Sequence, residues 1–295
     1  MFRIRIQNKK KCIWYCSAVV SFLLFLLLLG WTNHLANTQD AQQMAGRWSE
    51  KKDVAQISCF FSSKAEVTED TIQSFEYSLK NVLQEASITE TSENPSARLW
   101  VDAYSADGKI TLVNGRNTLD ANAIGIGGDF FLFHPLKLIT GSYFSGNDLM
   151  QDYCIIDQDA AWQLFGSNDV VGMTVYIGNV PHIVTGVVRR PQGRMEKAAG
   201  LTSTVVYVSY ETLEAYGTNN GINHYEIVMP NPVDEFAYGK VKEGIGIDEK
   251  NVEIVENSRR YSLPNRIKTI LAFGTRSMNG KAIIYPYWEN LARGY

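Results

Sequence analysis

The sequence predicts an α+β protein: an N-terminal transmembrane helix and helical stalk, then an extracytoplasmic α+β domain with a β-rich inserted subdomain. Three observations carry this. An uninterrupted apolar run, CIWYCSAVVSFLLFLLLLGW from Cys12 to Trp31, is long enough to cross a bilayer as a helix. Alternating strand patterns and 3.6-period helical patterns interleave from about Lys51 onward. The chain of 295 residues, 45% hydrophobic, can bury a sizeable core, which excludes a disordered or fibrous protein.

Residues 1–11 carry Arg3, Arg5, Lys9, Lys10 and Lys11, which places the N-terminus in the cytoplasm and the rest outside. A cleaved signal peptide has the same polarity, but its apolar core is shorter, and GWTNHLANTQ is a poor cleavage site. Residues 12–31 therefore read as a retained anchor. NHLANTQDAQQMAGRWSEK lacks proline and extends the helix as a stalk over residues 32–50.

Residues 51–258 read as the external domain. DVAQISCFFS is a strand, and TEDTIQSFEYSLKNVLQEA is a helix capped by Thr68, with Ile72, Phe75, Leu79, Val82 and Leu83 on one face. RLWVDAY and KITLVNG read as two strands turning at Asp107-Gly108. A β-rich insertion spans about 119–190. In it, AIGIGGDFFLF reads as glycine-containing strand, DAAWQLFG as a short helix ending at Gly166, and MTVYIGNVPHIVTGVV as a hairpin turning at Gly178-Asn179. Strand TSTVVYVSY, helix ETLEAYG, strand HYEIVMP, helix VDEFAYGKVKEG and strand NVEIVEN follow.

Residues 259–295 hold a helix from about Leu263 to Phe273 and an aromatic segment, YPYWENLARGY. Its tyrosines and tryptophan beside Glu289 and Arg293 suit a membrane surface; the competing arrangement packs them on the external domain.

Chemistry is scarce. A net charge of -3 with short, scattered basic clusters argues against nucleic-acid binding. His34, His134, His182 and His224 are separated from one another and show no metal-ligand spacing. Phe130 stands where a GxGxxG pattern needs its third glycine, and no GxxxxGK[ST], GxSxG, HExxH or paired CxxC occurs. Asp148, Asp152, Asp157 and Asp159 do not match a calcium loop, and Asp157 or Asp159 serves as a helix cap. The expectation is no catalytic, cofactor-binding or metal residue, and no enzyme. Cys12 and Cys16 lie in the apolar run; Cys59 and Cys154 can bridge, although CFF and YCII favour two buried thiols.

The stretch LITGSYFSGNDLMQDYCIIDQDAAWQLFGSNDVVGMTVYIGNVPHIVTGVV resembles the extracytoplasmic core domain of MacB-type ABC transporter permeases, of the FtsX-like permease superfamily. The matching positions are Gly141 and Phe144, Ala161 with Leu164-Phe165-Gly166, Val171-Gly172 before Val175, and Val184 with Gly186-Val187. The anchor, the stalk and ENSRRYSLPNRIKTILAFGTRSM fit as well. The resemblance implies a membrane-anchored permease component that transmits motion or handles substrate outside the membrane. Its implied partners are a separate ABC-type ATPase, further permease transmembrane helices, membrane lipid and, in a symmetric assembly, a second copy of the chain as a homodimer. YPYWENLARGY resembles the approach to a second spanning helix that these residues do not include. The chain thus reads as a truncated or split permease, or alternatively as a stand-alone membrane-anchored ligand- or partner-binding module.

Overall fold

The structure, a computed structural model, describes residues 2–49, 53–89, 98–272 and 280–294. Helix α1 (Phe2–Asn37) contains an apolar span, Lys11–Asn37, whose most apolar 18 residues have a mean hydropathy of 2.5; among the described residues it is the one helix long and apolar enough to cross a membrane. It forms one compact unit, and residues from Asp40 to Gly294 form a second.

The stalk expected over 32–50 is not one helix. α1 ends at Asn37; a single 3-10 turn (Asp40–Gln42) and a short helix α2 (Met44–Trp48) follow. The reason is side-chain chemistry that favours packing on the domain over continuing into solvent. Met44 and Ala45 are buried, the Met44 N–H donates to Gln56 Oε1 (2.8 Å), and Arg47 Nη2 donates to the carbonyl of Leu132 (2.6 Å).

The second unit begins with strand β1 (Val54–Phe61) and helix α3 (Glu69–Glu85), which is held by a Thr68–Thr71 capping box. Ile72, Phe75, Leu79 and Leu83 form the buried stripe of α3, as the sequence period requires, whereas Val82, expected with them, lies at its edge and is half-buried. Next come β2 (Val101–Asn114) and β3 (Asn117–Gly128). Here the expected turn is displaced. Asp107-Gly108 lies mid-strand, paired with Ile124 and Ala123, and the chain reverses at Gly115, whose φ of 60° suits the first loop position. Gly108 is needed for close approach: a Cβ there would lie 2.4 Å from the Thr218 carbonyl oxygen.

Helix α4 (Phe130–Phe133) replaces the strand expected at FFLF. Three of its phenylalanines are buried, so a single helical turn packs rings that an extended strand would send to opposite faces. The glycines before it serve strand packing, because a Cβ on Gly127 would strike the cross-strand Tyr104 ring.

Strands β4 (Lys137–Gly141) and β5 (Tyr153–Asp157) precede helix α5 (Gln158–Phe165). Asp157 accepts from the Ala160 N–H at its start, and Gly166 adopts φ 73° at its end. The hairpin β6 (Thr174–Ile177) to β7 (Val180–Arg189) turns at Gly178-Asn179, both at positive φ. Then follow α6 (Arg194–Ala198), β8 (Val205–Ser209), α7 (Tyr210–Tyr216), β9 (Thr218–Asn219), β10 (His224–Pro230), α8 (Phe236–Gly244), β11 (Val252–Glu256), α9 (Asn257–Arg260), α10 (Leu263–Leu271) and a last helix α11 (Tyr287–Gly294). Phe273, the expected end of α10, lies outside the described residues.

Eleven strands among the described residues form one mixed sheet with the order β11-β1-β10-β2-β3-β8-β5-β7-β4. Strand β6 pairs with both β2 and β7, so β2-β3-β8-β5-β7-β6 close on themselves; the β-rich stretch joins the main sheet instead of forming a separate one. One large core lies on the α3, α5, α7 and α8 side. A second core, with Phe130, Phe131, Phe133, Tyr207, Val228 and Trp288, lies beneath α2, α4 and α11. Cys59 and Cys154 are both free and buried, and burial pushes both thiols up, Cys154 to about 12.

Candidate functional site: a buried polar knot under the last helix

On β10, side chains alternate between the two cores. Tyr225 and Ile227 enter the larger one, whereas His224, Glu226 and Val228 face the other way. Apolar residues dominate that second side, yet His224 and Glu226 stand there side by side. His134, at the end of α4, meets them. His134 Nε2 and Glu226 Oε2 are 3.1 Å apart, as are His224 Nε2 and Glu226 Oε1. All three residues are at most 4% exposed.

Further polar groups orient the knot. Ser58 donates to Glu226 Oε1 (2.8 Å), Asn257 Nδ2 donates to Ser58 Oγ (2.7 Å), and His224 Nδ1 lies 3.4 Å from Ser105 Oγ. Burial alone would push the Glu226 carboxyl up, but the two adjacent imidazoles outweigh it and hold the group well below the usual carboxylate range. Burial pushes His134 down, toward its neutral form.

Trp288 of α11 closes the knot. Its ring centroid lies 4.1 Å from that of His134, 5.3 Å from His224 and 5.7 Å from Phe130. The next residue, Glu289, is also buried and takes a two-pronged ion pair from Arg260 of α9, with contacts of 2.6 and 2.9 Å. Arg293 reaches both Glu289 (2.8 Å) and Glu253 of β11 (2.5 Å), with its guanidinium 3.7 Å over the Tyr285 ring. The aromatic segment expected at a membrane surface is therefore packed on the domain. The buried Glu289 carboxylate finds two guanidinium partners there, and the Trp288 ring is held by its aromatic contacts. The exposed apolar face belongs instead to α10: Leu263, Ile267, Ile270 and Leu271 are all more than half exposed.

Of the remaining histidines, His34 lies in α1, and His182 is held between Thr212 Oγ1 (3.1 Å) and the Val180 carbonyl (3.0 Å), a satisfied core residue. The four aspartates do not converge on one site. Asp157 caps α5 and pairs with Arg190, Asp159 pairs with the same arginine, and Asp148 accepts from the Ser145 N–H. A separate concavity of about 440 Å³ near Phe61, Asp107, Lys109 and Asn219 has no cluster of reactive groups.

Another titrating group lies between α3 and β2. Burial, the Asp102 carboxyl and Glu69 push Glu76 up to about 8. Burial also raises Asp102, which accepts from the Tyr225 hydroxyl (2.9 Å). The folded state thus holds a proton on Glu76 that the unfolded chain, at the ordinary value of 4.5, releases. Stability from this group is complete below pH 4.5 and is lost as pH rises toward 8. Because Glu76 is part-exposed, the loss is about 1 kcal/mol, discounted for solvent screening. Glu76→Gln is expected to flatten the stability profile between pH 5 and 8 in urea unfolding.

The sequence matches the family described as the MacB-like periplasmic core domain over residues 21–254. Among curated relatives, the macrolide export ATP-binding/permease protein MacB of Pasteurella multocida is 31% identical over 98 residues, covering 32% of this chain and 14% of that protein. The Neisseria gonorrhoeae protein of the same name is 36% identical over 80 residues, covering 26% and 12%. The alignments thus span a small fraction of these relatives. Among solved structures, the periplasmic region of MacB from Actinobacillus actinomycetemcomitans has a TM-score of 0.45 at 20% identity, covering 73% of this chain and 92% of that one. The extracellular domain of the ABC-type transporter YknZ from Gram-positive bacteria has a TM-score of 0.45 at 17% identity, covering 68% and 99%. By the family match over most of its length, the chain belongs to the MacB-like periplasmic core domains of ABC transporter permeases.

Proposed function

We propose that this chain is the extracytoplasmic part of an ABC-type export permease, anchored by α1 with its N-terminus in the cytoplasm, and that it carries motion between the membrane and a substrate outside. Support for the orientation comes from the basic residues before the apolar run. Energy would come from an ABC-type ATPase acting with this chain, a reading supported by its membership in the MacB-like permease domains. A second copy of the chain completes the assembly in this reading.

The observation that carries the proposal is the docking of α11. Trp288 and Glu289 fix the helix to α4, α9 and β10 through buried contacts, so a displacement applied to it moves the central strands as one body. The exposed apolar face of α10 supplies a surface for lipid or permease helices.

The test is purification of the full chain from its native host in mild detergent, with deletion of its gene alongside. Recovery with an ABC ATPase in fixed ratio, and loss of an efflux phenotype on deletion, are expected. A chain that elutes without any ATPase and whose deletion leaves efflux unchanged would favour a stand-alone binding module.

A further inference from the structure

The knot of His134, His224 and Glu226 has an unusual geometry for a purely ion-paired cluster. Both imidazole Nε2 atoms lie 3.1 Å from a carboxylate oxygen. Yet neither contact has the alignment of an N–H···O hydrogen bond, and His134 Nε2, His224 Nε2 and Glu226 Oε2 are left without hydrogen-bond partners among the described residues. Such orphaned polar atoms are costly in a fully buried place. The three donor atoms all lie within 4.8 Å of one another. Ligands around a tetrahedral ion with bonds of about 2.0–2.1 Å stand about 3.4 Å apart, so small side-chain rotations bring these three onto a common centre.

From this convergence we propose that His134 Nε2, His224 Nε2 and a Glu226 carboxylate oxygen bind a divalent cation of the Zn²⁺ class. Two imidazoles and one carboxylate match the borderline-soft preference of that ion and suit calcium or magnesium poorly. Charge supports the assignment as well. Among the described residues, the ion pairs of Glu226 are with the two histidines and with no lysine or arginine. A dication neutralises the buried carboxylate without requiring either imidazole to be charged.

Supporting groups behind the ligands are already built. Ser105 Oγ lies 3.4 Å from His224 Nδ1 and is able to accept its N–H, the arrangement that leaves the Nε2 lone pair for the ion. Ser58, itself held by Asn257, donates to Glu226 Oε1 and leaves Oε2 for the ion. The ligands come from β10 and from the end of α4, so the ion ties the sheet to the turn on which Trp288 packs. This role is independent of the transport proposal, because it requires only the folded domain.

The experiment uses the full chain, free of any histidine tag, purified in detergent, incubated with Zn²⁺ and desalted. Elemental analysis is expected to give about one zinc per chain. Saturation with zinc at ~100-fold above its dissociation constant should raise Tm by about 5–10 °C over the chelator-treated chain. Co²⁺ in place of Zn²⁺ should give the visible absorption of a tetrahedral site, absent in His224→Gln and in Glu226→Gln. A wild-type chain with less than about 0.1 zinc and a Tm unmoved by zinc or chelator would overturn the proposal, even if both variants fail to fold. Equal zinc uptake by folded His224→Gln would overturn it too.

Discussion

Trp288→Ala is expected to lower stability by about 3–5 kcal/mol, and Tm by roughly 6–15 °C for a domain of this size, in a thermal melt followed by circular dichroism. The indole is 5% exposed and its ring contacts reach His134, His224, Phe130 and Tyr287. Truncation removes apolar burial and leaves a cavity whose floor is the buried polar knot. That floor cannot collapse onto the space without displacing Glu226 from Ser58, so relaxation offsets little of the loss. A Trp288→Phe variant keeps a ring and should recover more than half of it. If Trp288→Ala melted like the parent, α11 would not be packed as described.

The second large effect is expected at Glu289→Ala. Its carboxylate is 1% exposed and satisfies Arg260 on two nitrogens and Arg293 on a third. Removing it strands the Arg260 guanidinium inside the protein, a loss of about 3–5 kcal/mol. Pairing the change with Arg260→Met should restore much of the stability, because a long apolar side chain fills the same space without a charge. Chemical unfolding of the two single variants and the double variant measures this directly. Additive losses would contradict the ion pair, whereas a double variant more stable than Glu289→Ala supports it.

Local signals foretold much of the fold. The stripe on α3, the cap at Asp157, the left-handed Gly166 and the Gly178-Asn179 turn each depend on residues close in sequence. The misplaced turn at Asp107-Gly108 shows the limit. Asp-Gly permits a reversal, but Asn114-Gly115 permits one as well, and the choice rests with Thr218, whose carbonyl approaches Gly108 from over a hundred residues away. FFLF failed for a similar reason: periodicity cannot separate a buried turn of helix from a buried strand in four apolar residues.

The candidate site was hidden because its ligating atoms are far apart in sequence, His134 lying ninety positions before His224. One partial signal was present. His224-Tyr225-Glu226 on a strand sends the first and third side chains to the same face, and an imidazole beside a carboxylate on a face otherwise apolar marks a polar knot. Nothing local announced His134 or Trp288 as its closing members. The terminal aromatics equally suited a membrane surface by composition, and the buried partners of Glu289, Arg260 and Arg293 decided otherwise.

Helix α11 is an integral part of the folded domain. Hydrogen exchange of the full chain in detergent, resolved to the amides of residues 290–293, tests it most directly. Docking by Trp288 and the Arg260–Glu289 pair predicts exchange slower than in a free peptide by at least ~100-fold, and release of that protection in Trp288→Ala. Exchange at the rate of an unstructured peptide in the parent chain would contradict the docking and the path of motion built on it.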